Sequence, residues 1–128
     1  MVGTKNVNCD STSAPLDPTN FELGSMGGYY TYQEMLDDLD SMHSLFPNLI
    51  SAKEPIHTFT TEEGRPLYWV RISNTPDIDD PNEPEILYTS NHHAREAAAL
   101  SINMYTMWYI IENYASDEDL RYLVDNVE

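Results

Sequence analysis

The stretch EILYTSNHHAREAAAL, residues 85–100, places a short apolar run directly before an alanine-rich one and decides the predicted fold. The first run, 85–90, has the length and composition of a β-strand, and the second opens a helix predicted over about 96–114. A strand followed by a long apolar helix is the first half of a crossover unit in an α/β sheet. Between the two runs stand two histidines, an arginine and a glutamate.

Two more helices are predicted, one on each side of this stretch. Thr31, followed three residues later by Glu34, forms a capping box. Apolar residues then recur at helical spacing until Pro47, which predicts an amphipathic helix over 31–46. Near the end of the sequence, the run SDEDLRYLVDN predicts a further helix with Ser116 as its N-cap.

A β-hairpin is predicted between the first helix and the quoted stretch. The strand-like runs EPIHTFTT, residues 54–61, and RPLYWVRIS, residues 65–73, flank Gly64, which supplies the turn. The predicted fold class is therefore α/β: a partial mixed sheet of this hairpin plus one further strand, with helices packed on it. Residues 1–28 are rich in glycine, proline and small polar residues and are interpreted as a leader or linker, ahead of a folded part over 29–128.

Composition and charge exclude several classes of partner. A chain of 128 residues suffices for one domain, and a hydrophobic content of 41% supports a core. With 22 acidic and 6 basic residues the formal net charge is -16, which argues against binding to nucleic acid or to an anionic membrane surface. The one cysteine, Cys9, permits neither an intramolecular disulfide nor a cysteine-based zinc site. Residues 1–10 lack the basic cluster and apolar core of a signal peptide.

The quoted stretch contains candidate metal ligands. His93 and Glu96, three residues apart, would share one face at the start of a helix, and so would His92 and Glu96, four apart. Imidazole nitrogen and carboxylate oxygen are both good zinc ligands, but a catalytic zinc site commonly has three protein ligands. The other histidines, His43 and His57, have no metal spacing to a further ligand and are expected to be structural or surface residues. Spacing alone leaves the choice between the two pairs open.

An interpretation without metal fits the same residues. Glu96 would then stabilise the positive end of the helix dipole, and Arg95 would pair with one of the many acidic side chains. The histidines would be polar residues of a loop. A bare H-x-x-E pattern occurs often by chance, so residue chemistry alone gives the two interpretations about equal weight.

The residues around the motif resemble the zinc carboxypeptidase family, of the carboxypeptidase A and B type. The runs EEGRPLYWVRIS, 62–73, and NEPEILYTSNHHAREAAAL, 82–100, are similar to that family's hairpin and to its strand ending in His-Ala-Arg-Glu. The run YYTYQEMLDDLDSMHSLFPNLI, 29–50, looks like its first helix. The resemblance covers about residues 29–128 and implies the N-terminal portion of a catalytic domain, a fragment of a zinc-carboxypeptidase-like fold.

By this resemblance, His93 and Glu96 are two of three zinc ligands, and Arg95 lines the substrate cleft. The implied activity is that of a zinc-dependent metallocarboxypeptidase, with Zn2+ as cofactor, that removes C-terminal residues from peptides or proteins. In the family the third ligand and the general base come later than this sequence reaches, so this chain alone is expected to be inactive. Most members are secreted, which implies an extracellular location. His92 is expected to make a loop hydrogen bond.

Four alternatives stay open at the level of sequence. A zinc deacylase of related fold also uses H-x-x-E, although Gly-Asn is typical between its ligands and Ala94-Arg95 favours the peptidase. A peptidoglycan-cleaving peptidase also remains possible, because the residues that would decide its substrate selectivity come later in the chain. A non-catalytic binding module could keep the fold. A plain acidic domain without metal predicts that His93→Ala has no effect on zinc binding.

Overall fold

The computed structural model describes residues 16–128, which form three helices and one antiparallel hairpin. The elements in chain order are α1 (Tyr32–Leu45), β1 (Glu54–Thr60), β2 (Pro66–Trp69), α2 (Ala97–Asn113) and α3 (Glu118–Val124). The predicted α/β class is confirmed, and so is the hairpin. Each predicted helix is present, with its ends within two residues of the predicted positions.

The helix ends follow local capping chemistry, with one correction. Thr31 and Glu34 form the predicted capping box, in which the threonine hydroxyl accepts from the Glu34 N–H at 3.2 Å and the Glu34 carboxylate accepts from the Thr31 N–H at 2.7 Å. Helix α3, however, is capped by Asp117 and not by Ser116. The Asp117 carboxylate accepts from the two N–H groups that follow it by two and three residues, whereas the Ser116 hydroxyl donates to the carbonyl of Asn113.

The hairpin is short and lies largely outside the core. Gly64 forms its turn with φ 74°, and its N–H donates to the carbonyl of Thr61 at 2.9 Å. Strand β1 is exposed along its whole length, and its pairing with β2 is irregular between Pro55 and Thr60. His57 lies in this irregular part with an exposed ring, as expected for a surface residue.

The further strand expected over 85–90 does not form in the described part of the chain, so the sheet there has two strands. Two hydrogen bonds link the start of this segment to Glu128: the Glu128 N–H donates to the Pro84 carbonyl at 3.0 Å, and the Ile86 N–H donates to the Glu128 carbonyl at 2.7 Å. These two bonds, on either side of Glu85, have the pattern of two parallel strands, which is the arrangement of the two strands in a crossover unit. A strand needs such pairing over several residues, and beyond Ile86 the side chain of Leu87 is 86% exposed.

The core lies between helices α1 and α2. Its fully or nearly fully buried apolar members are Leu39, Met42, Ile50, Met104, Trp108 and Ile111. Phe46, at the end of α1, packs edge-on against Trp108 with ring centroids 6.4 Å apart. Helix α2 carries apolar residues nearly all round, and α1 covers one side of it.

A second cover of α2 comes from residues 16–21, which belong to the predicted leader. Phe21 packs against the core and meets Tyr105 edge-on, with ring centroids 5.2 Å apart. The Tyr105 hydroxyl donates to Asp17 at 2.6 Å, and the Asn113 side chain donates to the Leu16 carbonyl at 3.2 Å. The earlier part of the predicted leader, including Cys9, lies outside the described residues, and the boundary at residue 28 stays a prediction. None of the helices within residues 16–128 is long and apolar enough to cross a membrane.

Candidate functional site

The candidate ligands lie in a turn at the start of α2, here called the motif turn (residues 92–96). Asn91, with φ 60°, directs the chain into it, and the Glu96 N–H donates to the His93 carbonyl at 3.0 Å and closes it. Helix α2 begins at Ala97, with Glu96 as its N-cap residue. The backbone therefore holds the histidine and the glutamate at the two ends of one hydrogen-bonded turn, just ahead of a 17-residue helix.

The side chains of the motif turn are exposed and available. His93, Arg95 and Glu96 all lie on the surface, and together with their neighbours they line an open depression. The Glu96 carboxylate makes no capping hydrogen bond to its own helix. Arg95 pairs with none of the acidic side chains that the structure describes. A metal ion or substrate that binds to His93, Arg95 or Glu96 would thus not have to displace a polar contact between that side chain and another of residues 16–128.

His92 and His93 differ in their surroundings. The Nε2 atom of His92 lies 2.8 Å from the hydroxyl oxygen of Thr89, which is the loop hydrogen bond expected for this residue. The ring of His93 has no such partner in the described part of the chain. The Thr89 contact uses one ring nitrogen of His92 and leaves the other without a partner among residues 16–128, so it does not decide which of the two histidines acts together with Glu96.

The remaining histidines do not complete a metal site. His43 is partly buried, and its Nδ1 atom lies 2.9 Å from the carbonyl oxygen of Ile50. His57 is exposed on β1, with its Nδ1 atom 2.9 Å from the hydroxyl oxygen of Thr58. Among residues 16–128, no group of three or more His, Cys, Asp or Glu side chains is arranged to hold a metal ion. The donor types of the motif turn fit zinc, but among residues 16–128 no third candidate ligand joins a histidine and the glutamate of the motif turn, and a catalytic site commonly has three.

A second, smaller depression adjoins the motif turn and was not predicted from the sequence. Its lining residues are Met26, Tyr29, Tyr30, Asn91, Ala94, Ala97 and Leu100. One wall comes from the glycine-rich turn at 24–29, most of which lies in the predicted leader or linker over 1–28. The cluster of Gly24, Gly27 and Gly28 was the available signal, since glycines concentrate in tight turns as well as in linkers.

A partly buried polar network adjoins this wall. The Tyr30 hydroxyl donates to the Glu22 carbonyl at 2.6 Å and lies 3.1 Å from the carboxylate of Asp38. Burial, and then the charge of Asp38, raise the pKa of Tyr30 above its ordinary value. Burial also raises the pKa of Asp38, against the opposing effect of hydrogen bonds from Trp108 and Tyr30. Tyr30 is therefore a protonated donor that fixes the wall to α1.

Known proteins are similar to this chain over a range that includes the motif turn. A family model described as zinc carboxypeptidase matches residues 35–128. The zinc carboxypeptidase of Saccharothrix mutabilis subsp. capreolus is 29% identical over 119 residues, which are 93% of this chain and 26% of that protein. Carboxypeptidase D of Mus musculus is 32% identical over 114 residues, 89% of this chain and 8% of that protein.

A fungal relative extends the comparison. Metallocarboxypeptidase A of Trichophyton rubrum is 25% identical over 119 residues, which are 86% of this chain and 27% of that protein. The chain thus spans between 8% and 27% of the length of these three relatives. Since the family model covers well over half of the chain, including the motif turn, the chain belongs to the zinc carboxypeptidase family.

Proposed function

We propose that the chain contributes two zinc ligands, His93 and Glu96, and one substrate-binding side chain, Arg95, to a metallocarboxypeptidase that removes C-terminal residues from peptides. The observation that carries the proposal is family membership over residues 35–128, which include the whole motif turn. The exposure of the three side chains, and their lack of competing contacts with the described residues, support it.

The residues of this chain would have separate tasks. His93 and Glu96 would hold the ion from the two ends of one hydrogen-bonded turn. When bound, zinc would supply Lewis-acid polarisation of the scissile carbonyl and activation of water. The planar guanidinium of Arg95, one residue from Glu96, would hold a carbonyl or carboxylate oxygen of the peptide through its N–H donors. The third ligand and the general base are proposed to come from outside residues 16–128.

The proposal extends to partner and location. The partner is the C-terminal end of a peptide or protein, and an extracellular location is proposed on the basis of the family. The net charge of -16 supports the exclusion of nucleic acid and of anionic membrane surfaces as binding partners.

Calorimetric zinc titration tests the ligand assignment. It uses the longer protein to which, on this proposal, the 128-residue chain belongs, here called the full-length protein. We expect one zinc per molecule, with affinity reduced at least about tenfold in His93→Ala and in Glu96→Gln, since each removes a ligand. His92→Ala and His57→Ala serve as matched histidine controls and should bind as the unchanged protein does. Full zinc affinity in His93→Ala, or its loss in His92→Ala, would overturn the assignment.

Substrate panels test the reaction class. The zinc-loaded protein is offered peptides with free C-termini, the same peptides amidated, acylated amino acids and peptidoglycan stem peptides. Release of C-terminal residues from free peptides alone supports the proposal. A preference for acylated amino acids would instead identify a deacylase, and a preference for stem peptides a peptidoglycan peptidase. The same assay on the 128-residue chain alone is expected to show no turnover, and steady turnover abolished by Glu96→Ala would contradict that expectation.

A further inference from the structure

The smaller depression beside the motif turn has the size and lining of a site for one apolar side chain. Its volume is about 240 Å³, below the 300–1,000 Å³ or so of pockets that enclose a whole drug-sized ligand. Six of its seven lining residues carry apolar or largely apolar side chains: Met26, Tyr29, Tyr30, Ala94, Ala97 and Leu100. Burial of an apolar group against such a lining is favourable at roughly 25 cal/mol for each Å² removed from water.

Both small and large residues line the depression. Ala94 in the motif turn and Ala97 at the start of α2 leave room on one side. Met26 and Tyr29 also line the depression; they are 65% and 46% exposed and so keep much of their apolar surface in contact with water. A guest side chain in contact with Met26 or Tyr29 would remove part of this exposed apolar surface from water.

The wall that carries Met26 and Tyr29 is fixed in place by hydrogen bonds. The Met26 N–H donates to the Tyr29 carbonyl at 3.1 Å, and the Tyr29 N–H donates back to the Met26 carbonyl at 3.3 Å. The Glu34 carboxylate, on α1, accepts from the N–H groups of Ser25 at 3.1 Å and of Thr31 at 2.7 Å. The wall is therefore preorganised, which reduces the entropic cost of binding.

The depression is continuous with the candidate catalytic site. Ala94 lines it and lies between His93 and Arg95 in the chain, so its Cα atom is about 3.8 Å from that of each neighbour. An extended peptide advances roughly 3.3 Å per residue. Ala94 also lines the open depression of the motif turn, so an extended peptide held by Arg95 can reach this smaller depression with a side chain one or two residues along.

We infer that this depression is a subsite for an apolar side chain of the peptide substrate, and that Met26 and Tyr29 determine its specificity. The inference rests on the proposed function, because it places the peptide along Arg95. It goes beyond that function in naming a substrate feature and in assigning a role to the glycine-rich turn at 24–29.

A peptide series tests the subsite in the zinc-loaded, full-length protein. Each peptide carries either leucine or glycine at one of the three positions on the N-terminal side of the scissile bond. We expect kcat/KM to favour leucine at one position. Met26→Ala, which removes part of the wall, and Ala97→Leu, which fills the space, should each reduce this preference about tenfold and leave zinc affinity unchanged. Ile102→Ala, an exposed apolar residue of α2 outside the lining, is the matched control.

The outcomes separate the two proposals. Turnover with an unaltered leucine preference in both variants would overturn the subsite and leave the proposed function standing. Absence of C-terminal release in the unchanged, zinc-loaded protein would instead overturn the proposed function. In that case the subsite is tested by the NMR chemical shift of the Met26 methyl group on addition of each peptide. A change with the leucine peptide but not with its glycine counterpart supports the subsite, and no change with either peptide overturns it.

Discussion

The indole N–H of Trp108 donates to both carboxylate oxygens of Asp38, at 3.1 Å each, and so joins helix α2 to helix α1. Trp108 is 1% exposed and Asp38 is partly buried, so this bond lies at the edge of the apolar core. A directional bond in such a place fixes how α2 is rotated against α1. Because the motif turn leads directly into α2, this rotation also sets the direction of the turn.

Replacement of Trp108 by phenylalanine tests this link. We expect Trp108→Phe to lower the free energy of unfolding by about 1–3 kcal/mol, because Asp38 loses a donor in a partly dry environment and the smaller ring leaves a void. Urea unfolding measures the change. Trp69→Phe, at a residue 40% exposed, is the matched control and should cost clearly less. Equal losses in the two variants would show that the bond to Asp38 has no special role.

The carboxylate of Glu34 makes stability depend on pH in a defined direction. Hydrogen bonds from Ser25, and then from Thr31, lower the pKa of Glu34 from 4.5 to about 2. A group whose pKa is lower in the folded state stabilises the fold above its unfolded value, and this contribution is lost as pH falls toward the folded value. The contribution of Glu34 is therefore complete above pH 4.5 and disappears between 4.5 and about 2.

The measurement compares unfolding free energies of the unchanged protein and Glu34→Gln at several pH values. The difference between the two proteins should be constant above the window and shrink toward zero within it, because a protonated glutamate resembles glutamine. Glu62→Gln, in the exposed hairpin loop, is the control for loss of one negative charge. A Glu34→Gln difference that persists unchanged to pH 2.5 would contradict the assignment.

Glu112 on α2 anchors the segment that precedes the glycine-rich turn. Its two carboxylate oxygens accept four hydrogen bonds of 2.6–3.0 Å, from the backbone N–H groups and the side chains of Thr19 and Asn20. Burial alone would raise the pKa of Glu112, but these hydrogen bonds outweigh it and lower the pKa. One ionised side chain thus satisfies donors that lie 92 and 93 residues away in the sequence.

Amide hydrogen exchange tests the anchor. Glu112→Ala should increase exchange at the amides of Thr19 and Asn20 by about tenfold or more, which corresponds to a loss of roughly 1.4 kcal/mol of local stability. Glu112→Gln keeps one acceptor oxygen and should have an intermediate effect. Glu118→Gln, on the exposed surface of α3, should leave both amides unaffected. Protection of Thr19 and Asn20 that survives Glu112→Ala would mean that other contacts hold the segment.

The sequence predicts those features whose causes are local. The start of α1 depends on Thr31 and Glu34, three residues apart, and its end on the neighbourhood of Pro47, so both could be placed within one residue. The position of His93 and Glu96 just ahead of α2 is local in the same sense. The N-cap of α3 was missed because Ser116 and Asp117 are both suitable residues, and the choice depends on which has extended backbone angles, here φ -111° and ψ 117° at Asp117.

Apart from that N-cap, the features that were missed depend mainly on contacts between residues that are far apart in the sequence. Whether 85–90 forms a strand depends on a partner, and the hydrogen bonds of Glu128 reach only its first residues. The segment at 16–28 has the composition of a linker, but the distant acceptor Glu112 and the close approach of Gly24 to Tyr29 hold it as structure. A third metal ligand would be a contact of the same long-range kind, which spacing cannot reveal.

Gly24 allows the turn that forms the wall of the proposed subsite. A Cβ atom added at Gly24 would lie 2.1 Å from the carbonyl oxygen of Tyr29, which is backbone and cannot rotate away. At Gly64 the problem is different, because a Cβ atom there would meet nothing within 4 Å and only the φ of 74° is unfavourable. The two glycines thus form a matched pair, one constrained by space and one by backbone conformation.

The pair yields a prediction about where the damage appears. Gly64→Ala should cost about 1–2 kcal/mol, the usual cost of a left-handed conformation, and should leave the amides of Met26 and Tyr29 protected from hydrogen exchange. Gly24→Ala should cost as much or more and should expose these same amides, because the chain must open between Gly24 and Tyr29 to admit the methyl group. Loss of protection at Met26 and Tyr29 would then be accompanied by a reduced preference for leucine peptides. Unchanged protection at Tyr29 in Gly24→Ala would show that the wall tolerates the methyl group and would remove the steric argument for glycine at this position.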